Sequence, residues 1–277
     1  MTPRTSSSAG TGVPLEAGAF DLREFTRTAR GNLREELDLE PIRAAGLGAE
    51  ALRLLRLLRD LERSTMGRLR NLLVTATHKD ARVTAFLTTW AFEKFWIADA
   101  LDAVLEATGD DLHASAPAGG LRRVVTERHE RRGPVARAIR GNLDAHQIVA
   151  AHVTTGLTDE WITQAAYRRL GELAEGLHAV VAMILDIKDR HIRFLAEEAQ
   201  RRLAASSRAS RLTRREIKRA VWPLGAVERS DDDRSFFETI VFGTPEGAEE
   251  ARSISAMLAA LPGLASVAPT VSARLTP

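Results

Sequence analysis

The chain of 277 residues contains no cysteine. That excludes a disulfide framework, an iron–sulfur cluster and a thiolate zinc site. A metal ion held by this protein must take its ligands from histidine and carboxylate side chains. Lysine is almost as scarce, occurring only at Lys79, Lys94, Lys188 and Lys218. There is no apolar run of about eighteen residues, the minimum for a membrane-spanning helix. Residues 1–10 lack the apolar stretch of a secretory signal, so the expected location is the cytoplasm. No Gly-x-Ser-x-Gly, phosphate loop or dinucleotide fingerprint occurs, and neither an internal repeat nor a βαβ pattern is visible.

What is present is ordinary for a globular chain: 44% apolar and 27% charged residues. Basic and acidic residues number 39 and 37, for a net charge of +2. Arginine is unevenly spread, with dense stretches at 122–140 and 190–219. Glu127, Glu130, Glu197, Glu198 and Glu216 are interleaved there, and Phe194 is the one Phe, Tyr or Trp in either stretch. That mixture reads as solvated helix faces and argues against a nucleic-acid partner.

The apolar spacing is helical throughout. Residues 1–18, rich in Ser, Thr, Gly and Pro, read as a disordered tail. Residues 19–48 form a helical lead-in with a short helix expected over 21–36. A first long helix is expected over 49–74, with Leu55, Leu58, Met66, Leu69 and Leu73 in one stripe. A second opens at a capping box from Thr77 to Asp80 and runs to about Glu106. Pro134 and Gly156 suit the start and end of a third helix. The fourth is expected from Thr158 to Ala205, bent near Gly171 or Gly176. The bundle thus spans 49–205, and a helical annex spans 206–277. In the annex, Thr213 to Glu216 reads as a capping box. Asp231–Asp233 precede an apolar helix at their C-terminal side, and Gly243-Thr244-Pro245 marks a stop and a restart.

Glu62 and Glu93 fall on the apolar faces of the first two long helices. Each lies about fifteen residues from the turn near Thr77, so equal rise along antiparallel helices brings them level. Buried carboxylates cost several kcal/mol unless they are paired, protonated or metal-bound. Two helical hairpins joined by a long connection, with acids facing inward, resemble a ferritin-like carboxylate four-helix bundle over residues 49–205. The resemblance implies a pair of iron or manganese ions, held by one Glu from each of two helices and a Glu-x-x-His from each of the other two. Carried over by residue, Glu62 takes the lone Glu of the first helix. Glu93 takes the first position of the motif on the second, where Trp96 stands in place of His. Glu175-x-x-His178 is the intact motif on a long helix, and His152 is the offering of the third. The implied metal set is therefore Glu62, Glu93, His152, Glu175 and His178.

That set implies a non-haem iron or manganese oxidase or oxygenase, a metal-dependent oxidoreductase if the protein is an enzyme. The other reading is a degenerate, metal-free ferritin-like bundle that binds a small apolar ligand or a protein partner. In that case the two glutamates are satisfied by Arg168 or Arg169, by a histidine, or by sharing a proton. Trp90, Trp96, Trp161 and Tyr167 either line a pocket beside Glu93 or fill the core. His191 lies in the apolar stripe of the last helix. Phe236, Phe237, Ile240 and Val241 need cover from the bundle or from a second copy, and a homodimer is the expected assembly. The Asp231–Asp233 run lacks the further acid spacing of a diphosphate–metal motif, which argues against terpene-cyclase chemistry.

Overall fold

The computed structural model describes residues 19–109, 145–226 and 229–277. The expected tail at 1–18, the helix start at Pro134 and the basic stretch 122–140 lie outside the described residues. Every regular element among the described residues is helical.

The lead-in holds α1 (Leu22–Arg27), a 3-10 turn at Leu33–Glu36 and α2 (Glu40–Ala45). The single helix expected over 21–36 is interrupted: α1 ends at the Thr28 cap, and Asn32, left-handed with φ 51°, starts the 3-10 turn. Two long helices follow, α3 (Ala49–Leu73) and α4 (Ala81–Ala107). They pair antiparallel through a 3-10 turn at Ala76–Lys79. Asp80, rather than Thr77, is the N-cap of α4; its carboxylate accepts the Val83 N–H at 3.0 Å. Leu54, Leu55, Leu58 and Leu61 of α3 meet Phe86, Ile97, Leu101 and Val104 of α4 in one apolar core.

The second hairpin is α5 (Ala145–Leu173) and α6 (His178–Ala205). Its position differs from the sequence expectation. The helix does not stop at Gly156 but runs through it, and Gly156 faces Leu195 of α6. The reversal comes at Ala174, in extended conformation, and a 3-10 turn at Glu175–Leu177. A single glycine inside a helix costs only about 1 kcal/mol relative to alanine, so its presence alone does not fix a helix end. The shift of the turn by about one and a half dozen residues changes which side chains of α5 and α6 reach the centre.

The annex consists of α7 (Ser207–Arg219), α8 (Asp231–Phe242), α9 (Pro245–Ala260) and α10 (Pro269–Leu275). The helix holding Thr213 begins earlier than expected, at the Ser206 cap, and runs straight through Thr213. The expected acidic first turn of α8 and the Thr244–Pro245 start of α9 are both present. Phe237, Ile240 and Val241 are buried against the bundle, and Phe236 lies under the Arg53 guanidinium at 4.2 Å. The annex therefore covers its own apolar face without a second copy. Phe92 and Phe95 on the outer side of α4 remain 47% and 54% exposed.

Candidate functional site

The centre of the four long helices holds two carboxylates and two ammonium groups. Glu62 comes from α3, Lys94 from α4, Glu160 from α5 and Lys188 from α6. Lys94 Nζ donates to Glu62 Oε2 at 2.7 Å and lies 3.0 Å from Glu160 Oε1. Lys188 Nζ donates to Glu160 Oε2 at 2.5 Å and lies 3.6 Å from Glu62 Oε1. Each cation thus bridges both anions. None of the four is more than 2% exposed. Two neutral donors complete the set. The Tyr167 hydroxyl donates to Glu62 Oε1 at 3.1 Å, and Trp90 Nε1–H donates to Glu160 Oε1 at 2.7 Å. The Lys94 ammonium also stands over the Trp90 ring and Lys188 over the Tyr167 ring, at 5.3 and 5.5 Å.

This geometry follows from the two turns. Glu62 and Lys94 each lie sixteen residues from His78. Glu160 and Lys188 each lie fourteen residues from Ala174. Antiparallel helices of equal rise bring such pairs level.

The charge states are fixed by competition between burial and pairing. Burial alone would raise the Glu62 carboxyl; the Lys94 and Lys188 ammoniums outweigh it and hold it below the usual carboxylate range. Burial also opposes ionisation of Glu160, yet Lys188, Lys94 and His191 keep it well below that range. Burial would lower Lys94, and Glu160 and Glu62 reverse this and raise it. Burial and the Glu62 charge push the Tyr167 phenol well up. At neutral pH, Glu62 and Glu160 are ionised, Lys94 is protonated and Tyr167 is neutral. The set offers neither a free base nor an activated nucleophile.

Glu93 sits in a second buried cluster. His191 Nε2–H donates to its Oε2 at 2.7 Å, and the Arg30 backbone N–H donates to its Oε1 at 2.8 Å. The Arg190 guanidinium approaches the same oxygen at 3.4 Å and donates to the Phe25 and Thr28 carbonyls. Glu93 therefore ties the lead-in to α4 and α6. Phe25 closes this end, stacked on Phe86, which stacks in turn on Phe194 at 3.9 Å. A further layer joins Arg59 to Asp60 and Asp102 at 2.6 and 3.1 Å, with Arg63 on Asp102 and Arg229 on Asp60. Asp159 binds Arg68 at 2.7 Å and the Leu224 N–H of the annex at 2.6 Å.

The five metal ligands expected from the sequence do not converge. Glu62 and Glu93 are both buried, as expected, but each belongs to its own cluster. His152 lies near the α3–α4 turn, with Nδ1 2.9 Å from Thr77 Oγ1. Glu175 and His178 are exposed, because the second turn falls at their level. Arg168 and Arg169 reach Glu250 and the Ile240 carbonyl rather than the glutamates. The residues the sequence reading missed are Lys94, Glu160 and Lys188. Lys188-Asp-Arg-His191 has the spacing of Glu-x-x-His with lysine at the first position. On α4, Lys94 is followed at the same spacing by Ile97. The pattern with lysine in the acid position therefore marks Lys188 but not Lys94. Trp90 and Tyr167 do not line a ligand pocket; they satisfy the carboxylates.

No protein-family model and no curated protein matches the chain. Among solved structures, the chain is similar to a point mutant of an R2-like ligand-binding oxidase with an aerobically reconstituted Mn/Fe cofactor. The match covers 95% of this chain and 94% of that one, with a TM-score of 0.54 and 15% sequence identity. The fold of this chain is accordingly ferritin-like and all-α, as the sequence implies, and the structural neighbour carries a Mn/Fe cofactor. The donor set at the centre of this chain does not fit such a cofactor. Both lone glutamates are present, but ammonium groups stand at hydrogen-bonding distance from their oxygens, where a metal cation would meet like charge. Among the described residues, no three His, Asp or Glu side chains are grouped to hold a metal ion.

The quartet can be tested by removing one charge and then its partner. Lys188→Ala leaves buried Glu160 short of a cation and is expected to cost about 3–5 kcal/mol in urea unfolding. Lys188→Met combined with Glu160→Gln is expected to recover at least half of that loss; no recovery would contradict the pairing. The pH profile carries a sign as well. The depressed Glu62 and Glu160 contribute stability that is present above the ordinary carboxylate range and lost as pH falls through their folded values. The raised Lys94 contributes stability that is present below the ordinary lysine value and lost as pH rises through its folded value. Thermal scans are therefore expected to show a plateau from about pH 5 to about pH 10, with losses on both sides. A melting temperature that climbs on acidification below the plateau would contradict this.

Proposed function

We propose that the protein is a metal-independent ferritin-like bundle that acts as a binding module rather than as an oxidase. The observation that supports this most strongly is the placement of Lys94 and Lys188. Two ammonium groups balance the two central glutamates, the charge role that iron or manganese has in carboxylate bundles. With these charges internally matched, the centre is a structural core. Fold alone does not assign chemistry, since the same scaffold carries different sites.

Of the two ligand classes the sequence left open, a macromolecular partner has more support among the described residues than a small apolar one. The groove bounded by Leu57, Leu61, Pro223 and Phe237 has a cavity volume of about 10 Å³, the space of one water. The exposed Phe92 and Phe95 on α4 provide an apolar surface on which a second copy of the chain, or another protein, could bury area.

The second reading, a manganese or iron oxidase, draws its support from the cofactor named for the structural neighbour. Thermal unfolding with added Mn²⁺, or with Fe²⁺ under anaerobic conditions, separates the two. The metal-independent reading expects no change in melting temperature, with metal or with chelator. A metal site held at a hundredfold excess over its dissociation constant would add about 2.7 kcal/mol. Stabilisation of that size, abolished in Glu62→Ala, would overturn the proposal.

A further inference from the structure

The stretch 190–219 holds ten basic residues and three acids, Glu197, Glu198 and Glu216. In sequence the acids look like partners that neutralise it. In the structure none of the three pairs with Arg208, Arg211, Arg215 or Lys218. Glu197 accepts from Arg82 and from the Phe20 N–H, at 2.8 and 2.6 Å. Glu198 is fully buried and bound by Arg82, Arg201 and Arg202. Glu216 faces Arg219 at 3.7 Å.

What remains is one face of α7. Arg208, Arg211, Arg215 and Lys218 are all exposed, at spacings of three, four and three. At about 100° per residue they fall within roughly 80° of arc and span about 15 Å of helix. None of the four has an ion-pair partner among the described residues. The helix carries six basic residues and one acid, so its charge exceeds the +2 of the whole chain. Two more arginines brace it. Arg214 donates to the Gly263 carbonyl at 2.7 Å, and Arg274 to the Ala220 and Lys218 carbonyls at 3.1 and 2.7 Å. The opposite face, Ala209, Ser210, Thr213 and Ile217, is buried.

We propose that this face of α7 is a docking surface for the phosphate backbone of duplex nucleic acid. A rigid row of unpaired cations matches a polyanion, and a duplex presents about one charge per 1.7 Å of axis. α7 contains no aromatic residue, so it lacks the stacking platform that single strands use. Its apolar side is committed to the protein core, so it cannot roll into a bilayer as interfacial helices do. Binding of this kind reads charge rather than base sequence. The inference is independent of the state of the central quartet.

The test is fluorescence anisotropy with the full chain and a labelled 20-base-pair DNA of arbitrary sequence, in a salt titration. Binding at 50 mM salt is expected, with log K falling against log salt with a slope of about −3 to −4 for four phosphate contacts. The combined Arg208→Gln, Arg211→Gln, Arg215→Gln and Lys218→Gln variant is expected to lose at least tenfold in affinity with an unchanged melting temperature. If that variant fails to fold, the four single variants are read instead, each expected to shallow the slope by about one. Absence of binding at 50 mM salt would overturn the proposal, as would affinity that none of these variants weakens. Tighter binding to vesicles of mixed phosphatidylcholine and phosphatidylglycerol than to the duplex would overturn it in favour of a membrane surface.

Discussion

Two ammonium groups and two carboxylates, one from each long helix, form the interaction on which the rest of this structure depends. Taking four charges out of water costs several kcal/mol per ion, and only close mutual pairing offsets it. Here each lysine reaches both glutamates, and Tyr167 and Trp90 fill further lone pairs. A slide of any one helix by a turn, about 5.4 Å, would strand a buried charge. The quartet therefore sets the register of α3, α4, α5 and α6 in a way that leucine and phenylalanine contacts alone do not. Glu93 with His191 and Arg30, and Asp159 with Arg68 and Leu224, extend the same device outward. The first fixes the lead-in and the second fixes the annex.

The same arrangement limits the chemistry of the centre. Glu62 and Glu160 are held ionised and Lys94 is held protonated, while the Tyr167 proton is held more tightly than in water. A ferritin-like scaffold is compatible with a Mn/Fe cofactor in the structural neighbour and with an internally balanced polar core here. On α7, by contrast, Arg208, Arg211, Arg215 and Lys218 stand exposed, and the nearby acids Glu197, Glu198 and Glu216 pair with other arginines.

Much of this was legible in the sequence. The all-helical class, the first hairpin, the burial of Glu62 and Glu93, the acidic first turn at Asp231–Asp233 and the cap at Thr244 follow from spacing and local chemistry. The second hairpin did not, because Gly156 looks like a helix end and in fact lies inside α5. The intact Glu175-x-x-His178 motif consequently lies at the true turn rather than at the centre of the bundle. The mirror argument that linked Glu62 to α4 would have linked Glu160 to Lys188 once the turn stood at Ala174. The remaining obstacle was chemical. A search for ligands passes over lysine, yet a chain with only four lysines that places two on apolar helix faces signals buried cations. The pairing of Glu197 and Glu198 with Arg82 was beyond the sequence, since Arg82 lies more than a hundred residues away.

The central claim is that lysines, not metal ions, balance the carboxylates of this bundle. Its most direct test is the iron and manganese content of the full chain, expressed in medium supplemented with both metals and purified without chelator. The account predicts no more than trace metal, unchanged in Glu62→Ala. Iron or manganese at about one equivalent per chain, lost in Glu62→Ala, would contradict it.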